Sequence, residues 1–152
     1  MERLLVANER KNLLLTGTAG VGKTHLAVAL YRWGVLHWVT GDCCFVEVGS
    51  FLADVKRGFD DRDRPDPFGG IEAAKKLVVL DDLVGRNWTP WERDQGIVRL
   101  ISSIHSNGAA IVATTNFSLE QLSGILQPHE LSRLMDSAMY LVFSGADQRP
   151  IR

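Results

Sequence analysis

Gly17-Thr18-Ala19-Gly20-Val21-Gly22-Lys23-Thr24 fit the pattern G-x-x-x-x-G-K-[ST], which forms a phosphate-binding loop when it joins a strand to a helix. Both flanks have that character. Asn12-Leu13-Leu14-Leu15-Thr16 is a short apolar run and reads as a buried strand. Residues 25–33 carry apolar side chains at Leu26, Ala27, Leu30 and Trp33, the spacing of a helix face. Few folds accommodate strand, glycine loop and helix in that order, and the α/β class is the one they imply.

The loop also implies a chemistry. Glycines let the backbone turn sharply and aim successive N–H groups into one concavity, which suits an anion. The helix N-terminus adds partial positive charge. Lys23 can reach the β- and γ-phosphates of a nucleotide, and the Thr24 hydroxyl can ligate Mg²⁺. The loop residues and the adjoining His25 are therefore the candidate ATP site, with Mg²⁺ as its metal. The plainer alternative is a glycine-rich turn that binds nothing.

Composition bounds the remaining classes. A chain of 152 residues is expected to form one domain over residues 1–152, large enough for a proper core. The formal net charge of −1 gives no global pull toward nucleic acid or acidic membrane. No apolar run approaches the roughly 18 residues of a membrane span, and the N-terminus does not read as a signal peptide. Cys43 and Cys44 are adjacent and have no metal spacing; as strand neighbours they would point to opposite faces. Two half-buried reduced thiols suit a cytoplasmic protein.

A second motif supports the first. Leu77-Val78-Val79-Leu80-Asp81-Asp82 is an apolar run ending in two acids. A continuous apolar run reads as a central parallel strand covered on both faces. In P-loop NTPases such a strand delivers an aspartate to the Mg²⁺ site. Asp81 is the candidate for that role, and Asp82 for orienting the attacking water. Alone, the run would equally be a strand ending in a solvated acidic turn.

The rest alternates helix and strand. Residues 44–48 form a short β-rich run, after which Ser50 is the expected N-cap of a helix bearing Phe51, Leu52, Val55 and Phe59 on one face. Residues 60–70 read as a loop. Thr89-Pro90-Trp91-Glu92 has capping-box spacing with Pro at the first helical position. Ile97, Leu100, Ile101 and Ile104 then lie at core spacing, with Gly108 past the helix end. Residues 109–115 and 138–143 read as strands, and Ser118-Leu119-Glu120-Gln121 is a second capping box.

At this point the chain resembles the AAA+ ATPases, and within them the DnaC/DnaI helicase loaders and the IstB transposition ATPases. The resemblance rests on Gly-Lys-Thr-His-Leu-Ala at residues 22–27, Asp81-Asp82, Thr114-Thr115-Asn116 at a strand end, and Leu131-Ser132-Arg133-Leu134. It covers residues 12–149. It implies a parallel sheet flanked by helices, ATP hydrolysis that is slow and stimulated by assembly, and a homo-oligomer or mixed AAA+ assembly. It also implies a partner in DNA replication, a replicative helicase, with a transposase as the alternative. Asn116 resembles sensor 1, beside Asp81; Arg133 resembles the arginine finger, supplied to a neighbouring subunit. Arg149 resembles a sensor-2 arginine that touches the nucleotide. The same residues read without the resemblance are a turn Asn, a surface Arg on a helix and a solvated tail residue.

The chain departs from the family in two ways. Only a short segment precedes the first strand, where members usually carry a partner-binding region. No C-terminal helical lid is expected, as in loaders of this type. Single-stranded DNA is a further candidate partner, through Lys56, Arg57, Arg62, Arg64 and Phe59. The same stretch holds Asp54, Asp60, Asp61, Asp63 and Asp66, and a mixed-charge loop is ordinarily just solvated. Trp88 and Trp91 read as packing anchors, with the lining of a subunit interface as the alternative. The rival functions are a small P-loop kinase, for which the acidic loop 60–70 is a poor phosphate lid, and an ATP-binding adaptor that hardly hydrolyses.

Overall fold

The computed structural model describes residues 11–39, 41–61, 65–85 and 88–148. Five parallel strands form one sheet in the order β2-β3-β4-β1-β5. They are β1 (Leu13–Gly17), β2 (Cys43–Glu47), β3 (Leu77–Asp81), β4 (Ala110–Thr114) and β5 (Met139–Phe143). The helices are α1 (Lys23–His37), α2 (Val48–Asp60), α3 (Gly69–Ala73), α4 (Ile97–Asn107), α5 (Leu119–Ser123) and α6 (Pro128–Met135). A π-helical turn, Glu92–Gly96, leads into α4.

Strand alternation divides the core in two. Leu13, Leu15, Leu77, Val79, Ala110 and Val112 face α1, where Ala27 and Leu30 meet them. Leu14, Val78, Leu80, Ile111 and Ala113 face the other side, against Leu52 of α2 and Ile97, Leu100, Ile101 and Ile104 of α4. Every residue of β4 is buried, so the apolar run of a doubly covered strand is explained. Cys43 packs on the α1 side and Cys44 on the other, as their adjacency requires. Burial, with Asp42 and Cys44 nearby, raises the Cys43 thiol to about 11. It therefore stays protonated and unreactive near neutrality.

Both predicted capping boxes form. Ser118 Oγ accepts from Gln121 N at 3.2 Å while Gln121 Oε1 accepts from Ser118 N at 2.8 Å. Glu92 Oε2 accepts from Thr89 N at 2.7 Å. Gly108 ends α4 with φ 75, a left-handed residue for which glycine is suited. Trp88 and Trp91 are half-buried against the α4-side core.

Some local expectations give way to stronger groups. Ser50 does not cap α2. The helix starts at Val48, and Glu47 caps it, accepting from Gly49 N at 3.1 Å and Ser50 N at 2.8 Å. The longer carboxylate reaches both amides from the end of β2, so Ser50 becomes a donor inside the first turn. Phe59 shares a helical face with Leu52 and Val55, yet it is 61% exposed, its ring edge against Trp91 at 5.4 Å between centroids. The core ends beneath α2 before that last turn. The expected loop over residues 60–70 is closed by the start of α3.

Asn12, just before β1, ties three elements. Its Nδ2 donates to the carbonyls of Arg133 and Leu134 at 2.9 and 3.2 Å, and its Oδ1 accepts from Ile111 N at 2.9 Å. It is 1% exposed. Asn12→Ala leaves those buried groups unpaired, a loss of about 3 kcal/mol. The expected result is a melting temperature lower by roughly 6–12 °C, checked by thermal unfolding followed by circular dichroism.

Candidate nucleotide-binding site

Because all strands run parallel, their carboxyl ends share one edge of the sheet, and open α/β sheets bind ligands there. β1 lies between β4 and β5, while the chain leaving β1 crosses to β2 at the far side. The crevice at that reversal holds a pocket of about 590 Å³. Ala19, Gly20, Gly22, Lys23, Thr24 and His25 line it from the loop. Asp81 and Asp82 enter from β3, Thr114 to Asn116 from β4, Glu47 from β2, and Gln148 from beyond β5.

Gly17, Gly20 and Gly22 have φ of 135, 79 and 98, so the loop turns through conformations that L side chains rarely adopt. A Cβ at Gly17 would also strike the Phe143 carbonyl. Gly22 stands at the start of α1 and, being glycine, offers no side-chain cap, while the Asp147 carboxylate lies against the loop where a Cβ at Gly20 would be.

Lys23 Nζ donates to the carbonyls of Gly17 and Thr18 at 2.9 and 2.7 Å and to Asn116 Oδ1 at 2.9 Å. The ammonium thus bridges the loop and the tip of β4. Asp81 Oδ1 accepts from Thr24 Oγ1 at 2.9 Å and from Thr114 Oγ1 at 2.6 Å. Thr114 Oγ1 in turn accepts from Asp82 N at 3.0 Å. Asp82 adopts φ 52 and is exposed.

These donors fit a nucleotide with its metal. The glycine loop and the α1 N-terminus suit an anion, Lys23 supplies positive charge, and a hydroxyl and a carboxylate 2.9 Å apart form the oxygen pair that Mg²⁺ prefers.

Of the expected site residues, the structure brings Ala19, Gly20, Gly22, Lys23, Thr24, His25, Asp81, Asp82 and Asn116 to one pocket, while Val21 is not among its lining. Gly17 and Thr18 face Lys23 through their carbonyls. Arg133 is elsewhere: it lies on α6, half-buried, its Nη1 donating to Ser102 Oγ of α4 at 2.6 Å. Arg149 lies outside the described residues, as do Arg62 and Arg64. Lys56 and Arg57 are engaged with Glu92 and Asp54 at 3.0 and 2.7 Å.

Sequence reasoning missed Glu47, Thr114, Thr115 and Gln148. Thr114 and Thr115 carried a signal, since they belong to the Thr114-Thr115-Asn116 strand end. Glu47 and Gln148 carried none. Gln148 arrives because its N–H donates to the Gly20 carbonyl at 3.0 Å, which draws the chain beyond β5 across the loop.

A model of the family described as IstB-like ATP binding protein matches residues 3–140. The chain belongs to that family. It is 30% identical over 149 residues to a Mycobacterium tuberculosis protein named as an ATP-binding protein in an insertion sequence, covering 92% of this chain. It is 25% identical to the replicative helicase loader DnaI of Bacillus subtilis, covering 86% of this chain. The chain spans 56% of the first relative's length and 44% of the second's. Its fold superimposes on the crystal structure of the DnaC helicase loader with a TM-score of 0.78 at 26% identity, covering 93% of this chain and 85% of that one. The fold is therefore the P-loop AAA+ core. Among the described residues, no helix follows β5, and no helix is long and apolar enough to cross a membrane.

Thr114 supplies a test of the site's internal order. Thr114→Val keeps the shape but removes the donor to Asp81 and the acceptor of Asp82 N. We expect a loss of about 2 kcal/mol, read as an earlier urea midpoint, with Thr114→Ser close to the native protein.

Proposed function

We propose that this chain is an ATPase module that binds Mg·ATP in the pocket and hydrolyses it slowly, in assembly with neighbouring copies. The cycle controls a DNA-associated partner. The observation that carries this reading is the convergence of Lys23, Thr24, Asp81 and Asn116 within hydrogen-bond reach at the mouth of a glycine loop.

The roles follow from charge and reach. The loop amides and the α1 N-terminus hold the phosphates. Lys23 exchanges the Gly17 and Thr18 carbonyls for the β- and γ-phosphate oxygens. Thr24 and Asp81 hold Mg²⁺, which when bound neutralises charge on the phosphates. Asp82, exposed beside Asp81, orients the attacking water, and Asn116 holds that water or reads the γ-phosphate. Arg133 acts on the pocket of a neighbouring copy, where a guanidinium can bind two phosphate oxygens at once. His25, and Arg149 near the chain end, complete the nucleotide contacts.

For the partner, the family match and the insertion-sequence relative favour a transposase. The likeness to DnaI and DnaC keeps a replicative helicase as the second reading. Single-stranded DNA has less support on α2, because Lys56 and Arg57 are each engaged with a carboxylate.

Lys23→Ala is expected to weaken binding of a fluorescent ATP analogue at least about tenfold, since it deletes the cation expected at the phosphates. Unchanged binding would remove the basis for the reading. Asp81→Asn should weaken the Mg²⁺-dependent part of that binding, whereas Asp82→Asn should leave binding nearly intact and slow turnover. Equal turnover by both variants and the native protein would refute these roles.

Arg133→Ala should leave nucleotide binding unchanged and abolish assembly-dependent turnover. Mixing it with Lys23→Ala should restore part of the activity, because a mixed interface pairs one intact loop with one intact finger. Ser102→Ala removes the hydrogen bond to Arg133 while keeping the guanidinium, and should stay active. No rescue in a mixture shown by light scattering to co-assemble would leave Arg133 as a residue of the α4–α6 contact alone.

A further inference from the structure

Glu47 belongs to two structures at once. It ends β2 in register with Asp81 of β3, and it lines the nucleotide pocket with Lys23, Thr24, Asp81 and Asp82. The same carboxylate caps α2, one oxygen on Gly49 N and the other on Ser50 N. Burial alone would raise its pKa, but the hydrogen bonds from Ser50 and Gly49 hold it below the ordinary value, so the group is a charged cap at neutral pH.

The far part of α2 is fastened to another element. Lys56 Nζ lies 3.0 Å from Glu92 Oε1 and 3.0 Å from Thr89 Oγ1, and 5.4 Å above the Trp91 ring. Phe59 meets the same ring. Helix α2 therefore runs from a carboxylate in the pocket to the capping box that begins the π-helical turn and α4.

We propose that Glu47 is a positioning residue through which occupancy of the pocket is coupled to helix α2. The inference rests on the ATP-binding reading above. A triphosphate brings negative charge into a pocket that already holds Glu47, Asp81 and Asp82. Asp81 is tied to two hydroxyls and is the proposed metal ligand, so its charge is compensated. Glu47 has no such cation on its pocket side among its described hydrogen bonds and ion pairs; its partners are the α2 amides. Like charges oppose one another, and the γ-phosphate is the group within reach of Lys23 and of a metal held by Asp81, the register partner of Glu47. ATP therefore loosens the Glu47 cap, and ADP, lacking that group, leaves it closed. The loosened first turn is passed along α2 to Lys56 and the Thr89–Glu92 box.

Amide hydrogen exchange over residues 48–52, with Mg²⁺ and either a non-hydrolysable ATP analogue or ADP, tests this. The expected result is exchange at Gly49 and Ser50 that is several-fold faster with the ATP analogue than with ADP. Glu47→Ser retains a favoured N-cap side chain and removes the pocket carboxylate. It should abolish the ATP–ADP difference and tighten the analogue's binding about threefold or more. Glu47→Gln, which keeps length and one cap oxygen, should also lose the difference and serves if the serine variant does not fold. A native protein that binds the analogue with no change at these amides overturns the coupling. So do variants that respond like the native protein, and Glu47 is then a helix cap only. A native protein that binds no nucleotide overturns the ATP reading itself, and the inference with it.

Discussion

The pocket depends on parallel strands ending together. In an antiparallel sheet, neighbouring strands would deliver their last residues to opposite edges. Here Glu47, Asp81 and Thr114 end three adjacent strands, and the glycine loop leaves β1 beside them. Register then does the fine placement: Glu47 pairs with Asp81, and Leu15 with Thr114. A shift of one residue in β3 would turn Asp81 to the opposite face and bury an acid in the core. The apolar contacts that hold register are therefore also what holds the acids at the loop. Asn12 strengthens the same arrangement from the other end of β1 by bonding β4 and α6.

Charge is settled locally at this edge. Lys23 is 7% exposed and is stabilised by two loop carbonyls and Asn116. A buried ammonium without such partners would be costly. Phosphate oxygens at the same ammonium would meet it with full charges where these carbonyls offer dipoles. The site is thus organised before a ligand arrives.

Much of this was legible in the chain. The glycine pattern, the apolar runs of β1, β3 and β4, both capping boxes and the face Ile97, Leu100, Ile101 and Ile104 are local signals, and local physics decides them. The role of Asn116 at the tip of β4 was legible only through family resemblance. What stayed hidden depends on reach between elements. Nothing near Glu47 announces that its side chain folds back on α2 rather than leaving the cap to Ser50. Nothing near Phe59 tells that the core stops short of it. Gln148 enters the pocket because of one backbone hydrogen bond to Gly20, a contact that no periodicity encodes. Turns and strand spacing are properties of neighbouring residues; a cap reached from a strand end, or a tail crossing a loop, is a property of the assembled sheet.

Asp81 and Asp82 show how far adjacent residues can diverge once that sheet is formed. Asp81 continues the strand, so its carboxylate is directed at Thr24 and Thr114, and both hydroxyls donate to one oxygen. The strand stops at the next residue. Asp82 turns to φ 52, a left-handed conformation that Asp tolerates better than most residues. Its N–H is spent on Thr114, and its side chain is left exposed at the pocket mouth. One threonine therefore serves both acids, as donor to the first and acceptor for the backbone of the second. This fixes the first carboxylate against Thr24 and leaves the second past the end of the strand, at the pocket mouth. The backbone turn between two neighbouring acids therefore gives them different surroundings, which is what the two different roles proposed for them require.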